Sequence, residues 1–282
     1  MVAADVVVLL GASAGIGVLG AVVGLGGGVL IVPFLTLVEG VDIRLAAGTS
    51  IAAVLATSAG VATALAREEL VSVRVGLFLS LATTTGALVG GYLSGVVPER
   101  VLYLVFAAVM AWSAALMFRR RHAELELLRQ DEKPPSPWSE RLRLGGRYYD
   151  PSLGEEVVYQ PRSVWRAFGL MHVAGLISGL LGIGSGALKV LAMDTAMRLP
   201  IKVSNSTSNF MIGVTAAASA PLYFLRGDMQ PELTAPVVLG VLAGSLLGGR
   251  LLVRLSSKTI RLIFIPVLLW ISAQMLVRGL GA

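Results

Sequence analysis

Two glycine clusters are the first places in this chain where backbone itself could do chemistry: Gly24-Leu25-Gly26-Gly27-Gly28 and Gly182-Ile183-Gly184-Ser185-Gly186. Each stands ahead of a short apolar run, 29–38 and 187–197. Glycine is the residue that most cheaply unwinds a helix or turns a chain. A helix that starts at such a cluster presents unpaired N–H groups and about half a positive charge at its tip. Two convergent tips favour an anion, by the same physics that seats phosphates on helix N-termini. Small residues also let membrane helices approach closely, so one cluster alone would be ambiguous. Two clusters, each ahead of a short helix, favour binding, and they nominate Gly26, Gly27, Gly28, Gly184, Ser185 and Gly186.

Polar side chains add to this set. Lys189 lies one turn into the second short run. A charge at the centre of a bilayer costs roughly 2.5–3.5 kcal/mol even on the lenient insertion scale and points to function. Its structural alternative is a pairing with nearby Asp194 or a snorkelling side chain. Ser204-Asn205-Ser206-Thr207-Ser208-Asn209 is the densest polar stretch inside any apolar run. Asn205, Ser208 and Asn209 share a helix face by spacings of three and four, and amide and hydroxyl donors suit an oxyanion. The first half keeps Thr49-Ser50 but has Ala47 and Ile51 opposite the two asparagines. Bonding between helices is the alternative for Thr49, Ser50, Thr207 and Ser208. His172 is a weak candidate proton relay, its alternative an ordinary hydrogen-bonded histidine; Thr83-Thr84-Thr85 and Gln274 are weaker still. With two histidines, no cysteine, no HExxH, no P-loop and no paired intramembrane carboxylates, no catalytic constellation appears. The chain is read as a non-enzyme with no cofactor and no metal.

The elements that must position these residues follow from composition. The 282 residues are 55% hydrophobic and 14% charged, against about 25% charged in soluble domains. Of the 40 charged residues, 18 fall in 119–166. Such a chain cannot coat its own surface, which excludes a soluble enzyme, a nucleic-acid binder and a disordered chain. The net charge of +6 sits mainly in short loops between apolar runs, the footprint of membrane orientation. Apolar segments of roughly 6–23, 29–38, 45–66, 75–97 and 101–118, then 164–181, 187–197, 203–225, 233–253 and 260–277, are read against the roughly 20 residues a span needs. The two short ones are read as arms of glycine-broken, re-entrant hairpins, because bare backbone at membrane depth must be covered by protein. Met1-Val2-Ala3-Ala4-Asp5 lacks a basic n-region, so no cleaved signal peptide is expected. Residues 119–163 read as a solvated linker, with a brief helical extension at Ala123 to Arg129, a break at Pro134-Pro135-Ser136-Pro137 and a turn-rich stretch from Tyr148 to Gly154. Trp138, Trp165, Tyr148 and Tyr149 read as interfacial anchors.

A shift of 158 residues aligns the halves without a gap. Gly24, Gly26 and Gly28 fall on Gly182, Gly184 and Gly186, Thr49-Ser50 on Thr207-Ser208, and Thr57 on Thr215. Gly86, Gly90 and Gly91 fall on Gly244, Gly248 and Gly249, and Phe106, Trp112 and Met117 on Phe264, Trp270 and Met275. The chain reads as a duplication: a first repeat 1–118, a cytoplasmic linker 119–163 and a second repeat 164–282. Ten basic residues in 119–166 put the linker in the cytoplasm. If each hairpin returns to its starting side, Arg198, Lys202, Arg250, Arg254, Lys258 and Arg261 also face the cytoplasm, and only Arg226 and Arg278 of the second half lie outside. Each half then has three full spans plus a hairpin, both termini are outside, and the repeats are inverted. That is the architecture of secondary transporters, whose sites lie near the midplane.

The glycine clusters with Pro33, the Thr49-Ser50 pair and the Asn205-Ser206-Thr207-Ser208 stretch together resemble the TauE/SafE family over roughly 10–118 and 165–280. The resemblance implies a membrane permease that exports sulfite and organosulfonates such as sulfoacetate, or small anions more broadly. Ser185 and Leu191, which stands opposite Pro33, depart from the pattern. The expectation is an all-α polytopic protein of the cell inner (plasma) membrane that exports a small anion by alternating access. Its partners are that anion and the lipid bilayer, with no nucleic acid; the oligomeric state is left open, a homodimer being one option. A passive anion channel and a non-transporting membrane scaffold are the rival readings.

Overall fold

The computed structural model describes residues 3–23, 26–65, 71–119, 136–150, 155–252 and 257–281. The apolar runs fold as helices: α1 (Ala3–Val23), α2 (Gly28–Pro33), α3 (Ile43–Leu65), α4 (Val73–Val96) and α5 (Glu99–Arg119) in the first half. After α6 (Pro137–Arg141) come α7 (Val164–Leu181), α8 (Gly186–Ala196), α9 (Ile201–Leu225), α10 (Pro231–Leu252) and α11 (Ser257–Gly281). Among the described residues six stretches are long and apolar enough to cross a bilayer: Ile43–Val61, Val73–Val96, Glu99–Leu116, Val164–Leu181, Lys202–Leu225 and Pro231–Gly248. A helix of 24 residues, as in α4, is about 36 Å long, against about 30 Å of hydrocarbon. The chain is therefore a multi-pass membrane protein whose candidate spans are all helical. Val164–Leu181, expected as one arm of a hairpin, is itself long enough to span.

The two short arms differ, and proline is the reason. Beyond α2 the helix widens into a π-turn over Phe34–Val38. Pro33 has no N–H to return to the carbonyl one turn earlier, and the chain resumes through Glu39 N–H to Phe34 O, five residues back. In the second half Leu191 stands where Pro33 does, and α8 runs regularly for 11 residues.

Packing is dominated by glycine-lined pairs, α1 on α10 and α4 on α7. A methyl group added at Gly86 or Gly90 of α4 would collide with the carbonyl oxygen of His172 or Leu176, and one at Gly175 or Gly179 of α7 with that of Thr83 or Ala87. Likewise Gly240, Gly244 and Gly248 of α10 abut the carbonyls of Leu10, Ala14 and Val18. The repeat-matched glycines Gly86/Gly244 and Gly90/Gly248 thus do the same job in each half, which is close backbone approach. Residue numbers rise together along both pairs, so each pair runs parallel. Two other pairs run antiparallel. Gly48 near the start of α3 meets Asp228 just past α9, while Ser58 later in α3 donates to Asn209 O near the start of α9 at 2.7 Å. Gly279 of α11 meets Tyr103 and Leu104 of α5, while Ser272 donates to Ala107 O at 2.8 Å. Under the 158-residue register, α1 corresponds to α7, α4 to α10, α3 to α9 and α5 to α11, so every main helix pair maps onto another or onto itself.

The linker is not simply solvated. Residues 123–129, Pro134 and Pro135 lie outside the described residues. From Ser136 the chain forms α6 and then an antiparallel hairpin of β1 (Gly146–Asp150) with β2 (Glu155–Tyr159), so the first three residues of the expected turn-rich stretch are strand, and 151–154 lie outside the described residues. Leu144 is 2% exposed and packs with Val75 and Leu79 of α4, Val164, Ala167 and Met171 of α7, and Met193 and Met197 at the far end of α8. Arg162 N–H donates to Met197 O at 3.0 Å. A buried leucine and a buried Tyr148 explain why this hydrophilic stretch docks. Trp138 and Trp165 are exposed, as anchors should be; Tyr148 is not.

Candidate functional site

Both glycine clusters are genuine breaks, and their backbones match. Gly26 and Gly27 have φ of +80° and +70°; their repeat mates Gly184 and Ser185 have +72° and +44°. Left-handed backbone of this kind is cheap only for glycine, so Ser185 sits in a strained conformation. Its hydroxyl donates to Ala174 O at 2.7 Å on α7. At the first break Gly28 N–H donates to Gly26 O at 2.8 Å, and Gly27 O accepts from Leu30 and Ile31 N–H. At the second, Gly182 closes α7 with φ +71° and its N–H on Ser178 O.

The breaks converge, as expected, but on an apolar pair. A methyl group at Gly26 would lie 3.1 Å from Ile212 Cγ2 and 3.6 Å from Val54 Cγ1. One at Gly184 would lie 3.0 Å from Val54 Cγ1 and 3.3 Å from Ile212 Cγ2. Val54 and Ile212 are themselves repeat mates, fully buried on α3 and α9. They were missed in the sequence because an aliphatic residue in an apolar run carries no signal.

Ser50 and Ser208 hold the breaks through carbonyl groups. Ser50 Oγ donates to Gly182 O at 2.7 Å, with Gly28 O 3.4 Å away, and Ser208 Oγ donates to Gly186 O at 3.2 Å. Their protons are therefore spent on backbone in this conformation. Thr49 and Thr207 point elsewhere. Each follows from a rotation of about 100° per residue: Thr49 Oγ1 meets Thr234 Oγ1 of α10 at 3.1 Å, and Thr207 Oγ1 accepts Ser72 N–H at 3.1 Å. Asn205, half-buried, and Asn209, 5% exposed, lie with Ser208 within an arc of about 100° on α9. Thus Gly26, Gly27, Gly28, Ser50, Gly184, Ser185, Gly186 and Ser208 are gathered at the breaks, while the two threonines are not.

Lys189 is fully buried. Its ammonium donates to Thr215 Oγ1 at 3.0 Å and lies 3.5 Å from Met211 O. Thr215 Oγ1 in turn lies 2.7 Å from Met211 O and 3.1 Å from Thr83 Oγ1 on α4. Asp194, five positions along the helix, is turned about 140° away, so Lys189 reaches across to α9 instead. Thr215 was visible only as a repeat match of Thr57, and Thr83 only as part of a threonine run. His172 is separate from this network. Its Nδ1 meets Thr85 Oγ1 at 3.1 Å, and Thr83 and Thr85, two positions apart on α4, face nearly opposite ways. Among the described residues no group of three His, Cys, Asp or Glu side chains is gathered as a metal ion would require.

A multi-pass bundle broken twice at buried glycine turns fits the class of membrane transporters, which comparison with known proteins bears out. A family model described as "Sulfite exporter TauE/SafE" matches residues 9–275, and the chain belongs to that family. It is similar to "Probable membrane transporter protein YunE" of Bacillus subtilis (strain 168), 26% identical over 285 residues that cover 98% of each chain. It is also similar to "Probable membrane transporter protein YdhB" of the same organism, 23% identical over 235 residues, 83% of this chain and 85% of that one. No solved structure matches it.

Proposed function

We propose that the chain exports a small oxyanion, of the sulfite or organosulfonate class, by alternating access between two inverted halves, 1–118 and 164–282, without covalent chemistry. The observation that carries this reading is Lys189: a fully buried ammonium held only a turn behind a backbone break, against neutral oxygens of α9. The family model's description supplies the substrate class. The inversion is supported by the antiparallel packing of α3 with α9 and of α5 with α11, which are repeat mates. Same-sense repeats would leave such mates parallel.

In this reading the anion binds between the breaks, against amides of Gly26 to Gly28 and of Gly184 to Gly186, with Lys189 as countercharge. Ser50, Ser208, Asn205 and Asn209 supply hydrogen bonds once Val54 and Ile212 part. Thr49 and Thr207 act indirectly, through the helices they tie, and His172 is a tether between α7 and α4. The linker 119–163 is cytoplasmic and both termini are outside, following the basic residues of the linker.

The test is flux in proteoliposomes. Saturable counterflow of radiolabelled sulfite or sulfoacetate, with Lys189→Met raising the half-saturating concentration, is expected. Unsaturable conductance would make the protein a channel; no flux of any tested anion would leave a scaffold. Because the chain has no cysteine, single cysteines report topology: Ser136→Cys should label from the cytoplasm and Asp5→Cys from outside. Labelling of both from one side would end the inverted arrangement.

A further inference from the structure

On the linker side of the bundle lies an open surface cavity of about 300 Å³ lined by Arg74, Ser139, Glu140, Arg143, Gly145 and Gln160, of which only Ser139 is buried. Arg74 stands at the start of α4 and donates through its guanidinium to Arg143 O at 3.3 Å, which fixes the rim. Two guanidinium groups and one carboxylate leave the lining one net positive charge. That suits a monoanion with hydroxyls better than a dianion, because Glu140 repels a second negative charge and accepts from O–H groups.

An aromatic cluster is carried in part by the same elements, α4 and α6. Phe78 lies one turn beyond Arg74 on the same face of α4, and Trp138 lies two residues before Glu140 on α6. Trp138 and Trp165 meet edge to face at 5.5 Å between centroids, and Phe168 and Phe78 continue the cluster at 5.7 and 6.2 Å from Trp165. Both indoles are exposed, at 42% and 53%, and the Arg141 guanidinium sits 5.4 Å over the Trp138 ring. Trp165 is the second residue of α7, at the depth where a spanning helix leaves the headgroups and tryptophan is favoured. A free oxyanion would use the arginines and leave the rings idle. A ligand with a charged head and an acyl body uses both.

We propose that this cavity holds the headgroup of an anionic phosphodiester lipid, phosphatidylglycerol in chemistry, in the leaflet on the linker's side. The phosphate lies between Arg74 and Arg143, a glycerol hydroxyl on Glu140, and the chains along the Trp138–Trp165 wall. The bound lipid bridges α6 and the residues flanking the hairpin to the start of α4, basic pockets at the membrane surface being sites where anionic headgroups bind. This inference needs the chain only to lie in a membrane, and it stands or falls apart from the choice of transported anion.

Native mass spectrometry of the full chain in detergent tests it, with phosphatidylglycerol, phosphatidylcholine, phosphatidic acid and inorganic phosphate as probes. Phosphatidylglycerol should be retained at least ten-fold better than phosphatidylcholine, and the double variant Arg74→Gln/Arg143→Gln should lose that preference. Equal retention of the two lipids would overturn the headgroup site. So would displacement of phosphatidylglycerol by millimolar inorganic phosphate, which would mean a free-ion site. Glu140→Gln keeps both arginines and the bond between Arg74 and Arg143, so it reads the same site should the double variant fail to purify. It should shift retention toward dianionic phosphatidic acid by several-fold, and an unchanged ratio would remove Glu140 and its charge matching from the site.

Discussion

The two breaks share a backbone and differ in what stands one turn behind it. Behind the first, Ile31 is fully buried and packs with Leu180, Leu181 and Ile183 in the largest apolar cluster. Behind the second, its repeat mate Lys189 reaches Thr215, which touches Thr83. The first half keeps Thr57 opposite Thr215, yet that hydroxyl turns back to Ala53 O of its own helix at 2.9 Å. Opposite Thr83, Thr85 and His172 stand Val241, Ala243 and Ala14. The two breaks share their left-handed backbone, while the buried polar groups stand behind the second alone. Backbone geometry is therefore the common requirement, and the charge is a specialisation of the second half. Its energetics are balanced: a roughly 2.5–3.5 kcal/mol insertion cost is of the size that one or two hydrogen bonds from a charged group return, about 1.5–3 kcal/mol each.

Helix packing, where the halves agree, should give the largest effect. Gly90→Val and Gly248→Val should each destabilise the protein by about 3 kcal/mol or more, since both force backbones apart along a whole helix pair. Thermal melting in detergent checks this, and a mild effect in one mate alone would break the equivalence. Next come the residues where the halves disagree. Ile31→Lys should destabilise by about 2.5–3.5 kcal/mol, because the apolar cluster around Ile31 returns nothing for the insertion cost of an ammonium. Lys189→Met should leave the melting temperature equal or higher while anion affinity, read by calorimetry or counterflow, falls about 10- to 150-fold, the worth of 1.5–3 kcal/mol. Unchanged affinity with a lowered melting temperature would make Lys189 a structural group. The smallest contrast is between the matched threonines. Thr215→Val removes the acceptor of a buried ammonium and should cost about 1–3 kcal/mol, whereas Thr57→Val loses one bond within its own helix, about 0.5–1.5 kcal/mol. Equal losses would show that Lys189 draws little from Thr215.

Much of this was legible in the residues. Hydropathy located every long helix, and glycine clusters located both breaks, because both signals act locally along the chain. The pseudo-two-fold relation read from the repeat also anticipated that the two breaks would converge. What it did not reveal was the filling between them: Val54 and Ile212 look like any other aliphatic residues until the fold juxtaposes them. Nearness in sequence suggested Asp194 as the partner of Lys189, but a helix turns 100° per residue, and the partner came from α9. The linker misled for a compositional reason. Leucines scattered among many charges show no periodicity, yet Leu144 joins the buried cluster shared with α4 and α7.

The interleaving of α1 with α10 and of α4 with α7 has a consequence in time. Most of α1's packing surface belongs to a helix that ends at Leu252. At synthesis rates of about 5–20 residues per second, α1 is complete roughly 10–45 s before that partner exists. During that interval its glycine face meets lipid or the insertion machinery instead of α10. A helix with so few charges tolerates the wait, and assembly of the transporter is gated by the arrival of its second half.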